Sequence, residues 1–143
     1  WDSSEIHAGR RLVRFDRVQD GCKLILSCTP IRQEDYVESD SVISCIYRDE
    51  LDTYFVTSVD IIYLLEFLFN DEFPPEERDR IRRNLRGLRP TTVSRHKPGL
   101  EAFFQRIIEF PDPKPRNAAK KLKVFEWSLL GQALDKILSK YVS

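Results

Sequence analysis

Tyr54-Phe55-Val56-Thr57-Ser58-Val59-Asp60-Ile61-Ile62-Tyr63-Leu64-Leu65-Glu66-Phe67-Leu68-Phe69 holds the change of period on which the fold turns. Thr53 to Val56 is β-branched and aromatic, and reads as a strand. Thr57 or Ser58 then supplies a hydroxyl that can cap a helix running from Val59 to Asn70. Asp60 falls in its first turn, where the positive end of the helix dipole favours a carboxylate. This helix is apolar nearly all round, which predicts a buried central helix rather than one lying on the surface. A strand that leads directly into such a helix implies a sheet and helices sharing one core.

Upstream, the pattern is that of strands. Leu12 to Val18 is followed by Asp20-Gly21, a strong tight-turn signal. Cys22 to Cys28 then alternates, with Cys22, Leu24, Leu26 and Cys28 on one face, completing a hairpin. Pro30 to Asp40 is a polar, acidic connection. Ser41 to Tyr47 and Thr53 to Val56 form a second hairpin around Arg48-Asp49-Glu50-Leu51-Asp52. Three or four antiparallel strands follow, and they need a covering layer.

Downstream, helices supply that layer. Pro74-Pro75-Glu76-Glu77 opens a helix that runs to Arg86 and stops at Gly87. A third helix, from about Pro98 to Phe110, gathers Leu100, Phe103, Phe104, Ile107 and Ile108 on one face. Pro111-Asp112-Pro113-Lys114-Pro115 is an extended linker. The last helix, from about Glu126 to Tyr141, carries a stripe of Trp127, Leu130, Leu134, Ile137, Leu138 and Tyr141. The expected fold is therefore α+β. Antiparallel strands dominate residues 1–57, and about four helices fill 58–143.

At 143 residues, with a 41% hydrophobic fraction, the chain suits one domain with its own core. It contains no Met and opens on Trp1, from which we expect a domain cut from a longer protein. The longest apolar run, Val59 to Phe69, is interrupted by Asp60 and Glu66 and is too short to span a membrane. Cys22, Cys28 and Cys45 show no CxxC pairing and lie far from any zinc-like His spacing, so they read as small reduced residues of an intracellular protein. There is no Gly-rich phosphate loop and no Ser, His and Asp grouping. Asp49, Glu50 and Asp52 are explained by their turn. The reading is non-catalytic, with no cofactor, metal or small-molecule substrate.

Charge carries the functional signal. The chain has 23 basic and 23 acidic residues, yet they are segregated. Residues 78–123 hold 14 Lys/Arg against 4 acids, whereas residues 1–77 hold 7 against 17. Such asymmetry points to a polyanion partner for the basic segment. Nucleic acid leads because Arg predominates among Ser, Thr and Asn donors. The candidates are Arg82, Arg83, Arg86, Arg89, Arg95 and Lys97 on the helix and following loop, with Lys114, Arg116, Lys120 and Lys121 in a basic linker. Asn84 adds a possible base contact, and Phe125 or Trp127 a stacking one. Two helices joined by this loop distantly suggest a helix-turn-helix with an overlong turn.

Two plainer readings compete. Glu76 with Arg80, and Asp79 with Arg83, are spaced for i,i+4 pairs, so an Arg-rich helix face can be a solvated one that also meets the acidic half. The basic linker can be no more than a polar connection. Opposite charges on the two halves also allow self-association or docking on another regulator. RNA is a lesser alternative to DNA.

Several segments, among them Ala8-Gly9-Arg10-Arg11-Leu12-Val13-Arg14-Phe15, Tyr54 to Glu66, Ile81 to Ser94, and Phe110 to Asn117 with Lys123-Val124-Phe125-Glu126-Trp127, resemble a domain of fungal Medusa-type developmental regulators. The resemblance covers nearly the whole chain. It implies a nuclear protein acting in transcriptional control of fungal development, including sporulation. It assigns no residue roles.

Overall fold

The computed structural model describes residues 3–20, 23–69, 72–94, 96–111 and 121–141. Side chains 3–4, 18–20, 23–26, 49, 121, 135 and 137–141 lie outside this description. A short helix α1 (Ser3–Ala8) precedes strands β1 (Arg10–Asp20), β2 (Lys23–Ile31), β3 (Val42–Arg48) and β4 (Thr53–Thr57). Helices α2 (Ser58–Phe69) and α3 (Pro75–Leu85) follow, then β5 (Thr91–Ser94), α4 (Glu101–Ile108), β6 (Lys121–Glu126) and α5 (Leu130–Tyr141).

The sheet is six-stranded among the described residues, in the order β2-β1-β3-β4-β6-β5. Every neighbouring pair is antiparallel. The class is α+β, and both expected hairpins are present. The sheet is larger than the three or four strands expected. Two of its strands, β5 and β6, come from the half read as helical, and α1 comes from the half read as strands. The chain leaves β4, traverses α2 and α3, and returns as β5 one position beyond its neighbour. After α4, β6 fills the gap between β4 and β5.

Alternation divides the core in two. Val13, Phe15, Ile43, Cys45, Val56 and Phe125 face one side and pack with α2, α3 and α5. Ile46, Phe55, Val93, Leu122 and Val124 face the other, where α4 covers them with Phe103, Phe104 and Ile107. The sheet is thus clothed on both sides, and α3 and α4 lie on opposite faces. That placement, with β5 between them, removes the helix-turn-helix comparison.

Helix α2 is the central helix that its composition demands, with Ile61, Ile62, Leu64, Leu65 and Leu68 buried. The Thr57 hydroxyl accepts the Asp60 N–H at 3.2 Å, capping the first turn. Buried Asp60 in turn accepts the Ser44 N–H at 3.4 Å, where the β3–β4 ladder has run out. The sequence-level cap therefore also ties helix to sheet. In α5, Leu130, Ala133 and Leu134 are buried. The rest of the expected stripe, Ile137, Leu138 and Tyr141, lies outside the described side chains.

On the α4 side, Arg10 is buried and stacks over Phe110 at 4.6 Å. It donates to Gln33 Oε1 at 2.6 Å and to the Pro111 carbonyl at 2.9 Å, so it fastens the first strand to the end of α4.

Candidate nucleic-acid interface

Helix α3 sets out the basic residues by simple geometry. Ile81 and Leu85 are buried, and residues on the opposite arc must face water. Arg82 and Arg86 lie four apart, Arg83 and Arg86 three apart, so the three guanidiniums occupy neighbouring positions on that arc. Arg82 and Arg83 fall in the last turn, where the negative end of the helix dipole favours cations.

Neutralisation is uneven along the segment. Arg78 pairs with Glu66 of α2 at 3.0 Å, and Arg80 with Glu77 at 3.7 Å. Asp79 takes Arg82 at 2.7 Å, three residues on, instead of the expected Arg83. The i,i+3 neighbour wins, leaving Arg83 exposed. Among the described residues Arg83, Arg86, Arg89 and Lys97 are all exposed and make no ion pair. Among the described residues no carboxylate from the strands forms an ion pair with them. Arg95, Lys114, Arg116 and Lys120 lie outside the described residues, as does the Lys121 side chain.

The basic linker is shorter than the sequence suggested. Lys121, Leu122 and Lys123 open β6 instead of forming an arm. Lys123 stands directly opposite Thr92 and Lys121 opposite Ser94. Since Leu122 and Val93 point into the α4 core, Thr92, Ser94 and Lys123 project from the same side of the sheet as α3. Lys123 is exposed and makes no ion pair among the described residues. Phe125 is 3% exposed and cannot stack on a base. Trp127 is half-buried against the core, and Asn84 is half-buried as well.

Two charged residues went unnoticed in the sequence. The Lys136 ammonium, from α5, sits 2.6 Å from where a Cβ on Gly87 would lie, so only a glycine lets it approach this closely. It adds a cation to the turn that ends α3. Glu126, at the end of β6, lines a cavity of about 320 Å³ together with Arg89. Spacing along the chain gave no signal for either, since both arrive from distant elements.

Arg89 has an unusual backbone. Helix α3 stops at Leu85, and a single 3-10 turn covers Arg86–Leu88. The left-handed residue that closes this turn is Arg89, with φ 56° and ψ 65°, rather than Gly87. Its N–H donates to the Arg86 carbonyl at 3.1 Å. A side chain held there costs about 1–2 kcal/mol relative to glycine-compatible geometry.

Other chemistry is sparse. Burial pushes the Cys45 thiol up to about 12, and the Arg11 guanidinium offsets only part of that rise. Cys28 is exposed. Among the described residues no three His, Cys, Asp or Glu side chains gather as metal ligands, and no helix is long and apolar enough to cross a membrane.

An α+β domain whose Arg-rich helix ends in a turn carrying the exposed Arg86 and Arg89 is the class that this geometry defines. The chain belongs to the family described as Domain of unknown function (DUF7082), which it matches over residues 1–138. No curated protein and no solved structure matches it.

Proposed function

We propose that the domain binds double-stranded DNA as part of a nuclear transcription regulator of fungal development. The observation that carries this reading is the set of exposed cations, Arg83, Arg86, Arg89, Lys97 and Lys123, which no carboxylate of the described residues neutralises. Exposed Arg and Lys side chains of this kind contact phosphate oxygens in protein–DNA complexes generally. Arg82 joins them once Asp79 yields it, and Arg95, Lys114, Arg116, Lys120 and Lys121 extend the positive segment in sequence. The resemblance to Medusa-type regulators supports the nuclear and developmental setting.

Titration of the domain with random-sequence duplex at two salt concentrations tests the reading. Affinity should fall steeply with salt, the logarithmic slope being about −0.9 per phosphate neutralised. Arg83→Ala combined with Arg86→Ala should flatten that slope by roughly two such contacts. Unchanged binding in the double variant would reject these residues as the contact.

A second reading, a protein-interaction module without DNA contact, is favoured by one feature. Exposed Glu34, Asp35 and Glu38 surround Val37, which is 56% exposed. An acidic segment with an apolar centre suits a basic protein surface, including that of a second copy. Salt-sensitive light scattering without a DNA mobility shift would support it over the first.

A further inference from the structure

We propose that the cavity beside Arg89 binds a guanine base; this goes beyond the duplex reading and does not depend on it. The cavity, about 320 Å³, lies over the end of the β4–β6–β5 ladder. Register decides which side chains line it. Phe55 stands opposite Glu126, and Thr91 opposite Val124, so all four project from one face of the sheet. Phe55 and Val124, 6% and 1% exposed, close its base, and the more open Leu51, Leu88 and Leu129 supply the apolar surface a ligand would meet. A planar ring packs against apolar side chains of this kind.

The rim specifies the edges of that ring. Arg89 can only donate hydrogen bonds and ionised Glu126 can only accept them. They line the same cavity without pairing with each other, and among the described residues neither side chain has another polar partner. A ligand that satisfies both must carry acceptors along one edge and donors along the next. Guanine has O6 and N7 as acceptors, suited to the forked guanidinium. Its N1–H and exocyclic N2 amino group are donors for the carboxylate. Adenine presents an amino group beside N7 and a bare N1, and mismatches both rim residues.

Two further observations point the same way. Arg89 keeps a left-handed backbone that glycine would adopt without strain, and strain of this kind collects at ligand sites. Arg86 lies in the same turn and is exposed. A cation there suits the phosphate of a nucleotide.

Calorimetry tests the proposal with GMP against AMP, and with short single-stranded thymidine oligonucleotides carrying one central guanine or adenine. Guanine should be preferred by about tenfold or more. Arg89→Gly relieves the backbone, so its melting temperature should not fall, yet guanine binding should drop at least about tenfold. Glu126→Gln should narrow the guanine–adenine ratio in a folded protein. Binding of the oligonucleotide alone identifies nucleic acid as the source of the base, and binding of GMP identifies a free nucleotide. No binding of either guanine ligand at millimolar concentration, equal binding of adenine, or wild-type affinity in Arg89→Gly would overturn the proposal. Duplex titration in parallel separates the readings, because loss of duplex binding with guanine binding intact strikes only the former.

Discussion

Arg78 donates to Glu66 Oε2 at 3.0 Å, and the same oxygen accepts the Phe73 N–H at 2.8 Å. One carboxylate on α2 therefore holds both the start of α3 and the chain leading into it. Arg78 belongs to the basic segment by sequence but to the scaffold by contact. Arg80, Arg82 and Arg83 belong to the helix that this pair helps to fix.

Glu66→Gln should accordingly destabilise the fold. The Glu66 side chain is 14% exposed and serves two donors. Hydrogen bonds to charged groups contribute about 1.5–3 kcal/mol each at most. A loss of about 1–3 kcal/mol in urea unfolding is expected, with the m-value unchanged. A shift within about 0.5 kcal/mol would show that the junction is held by apolar packing alone.

Asp79→Asn should tighten DNA binding. Asp79 and Arg82 form an exposed pair, 64% and 42% accessible, of the kind that contributes about 0–1 kcal/mol to stability. Removing the carboxylate frees one guanidinium next to Arg86 at little structural cost. The salt slope for duplex DNA should steepen by about 0.9. Weaker or unaltered binding would place Arg82 outside the contact.

What was legible in the sequence follows the strength of the local signals. Asp20-Gly21 and the Thr57 cap fixed a hairpin and a helix because each is decided by neighbours in the chain. Lys121-Leu122-Lys123-Val124 does alternate as a strand should, but its lysines resembled a phosphate-binding arm. Thr91–Ser94 is four residues long, too short to announce itself between Pro90 and Arg95. Both strands exist because tertiary pairing completes them. The excess of cations was equally plain, whereas which of them stay unneutralised was not. Asp79 could reach Arg82 or Arg83 with similar spacing, and Lys136 and Glu126 come from elements brought near by the fold.

Cys45 makes stability depend on alkaline pH. Its thiol is raised from 9.0 to about 12 in the folded protein, chiefly by burial. The unfolded chain releases the proton first as pH rises, so the stabilising contribution is intact below about pH 9 and is lost between there and about 12. The decline is at most about 1.4 kcal/mol per pH unit. Cys45→Ala should flatten this part of the pH–stability profile, measured by urea unfolding. At pH 8, a thiol reagent should modify exposed Cys28 while Cys45 stays protected until the protein opens. Rapid labelling of Cys45 in the native state would contradict its burial.

A side chain at Gly9 would strain the backbone and displace a neighbour. It closes α1 with φ 77°, and its N–H donates to the Glu5 carbonyl at 2.9 Å. A Cβ there would sit 2.7 Å from Arg106 Cζ, in the guanidinium that donates to the His7 carbonyl. Gly9→Ala therefore combines a left-handed penalty of about 1–2 kcal/mol with displacement of the side chain that pins α1 to α4. Gly131 provides the contrast, since it lies in α5 with nothing within 4 Å of an added Cβ. Gly131→Ala should stabilise the domain by about 0.5–1 kcal/mol. Opposite shifts in melting temperature are expected from the two alanines, and a Gly9→Ala protein as stable as the wild type would refute the packing of Arg106 on that turn.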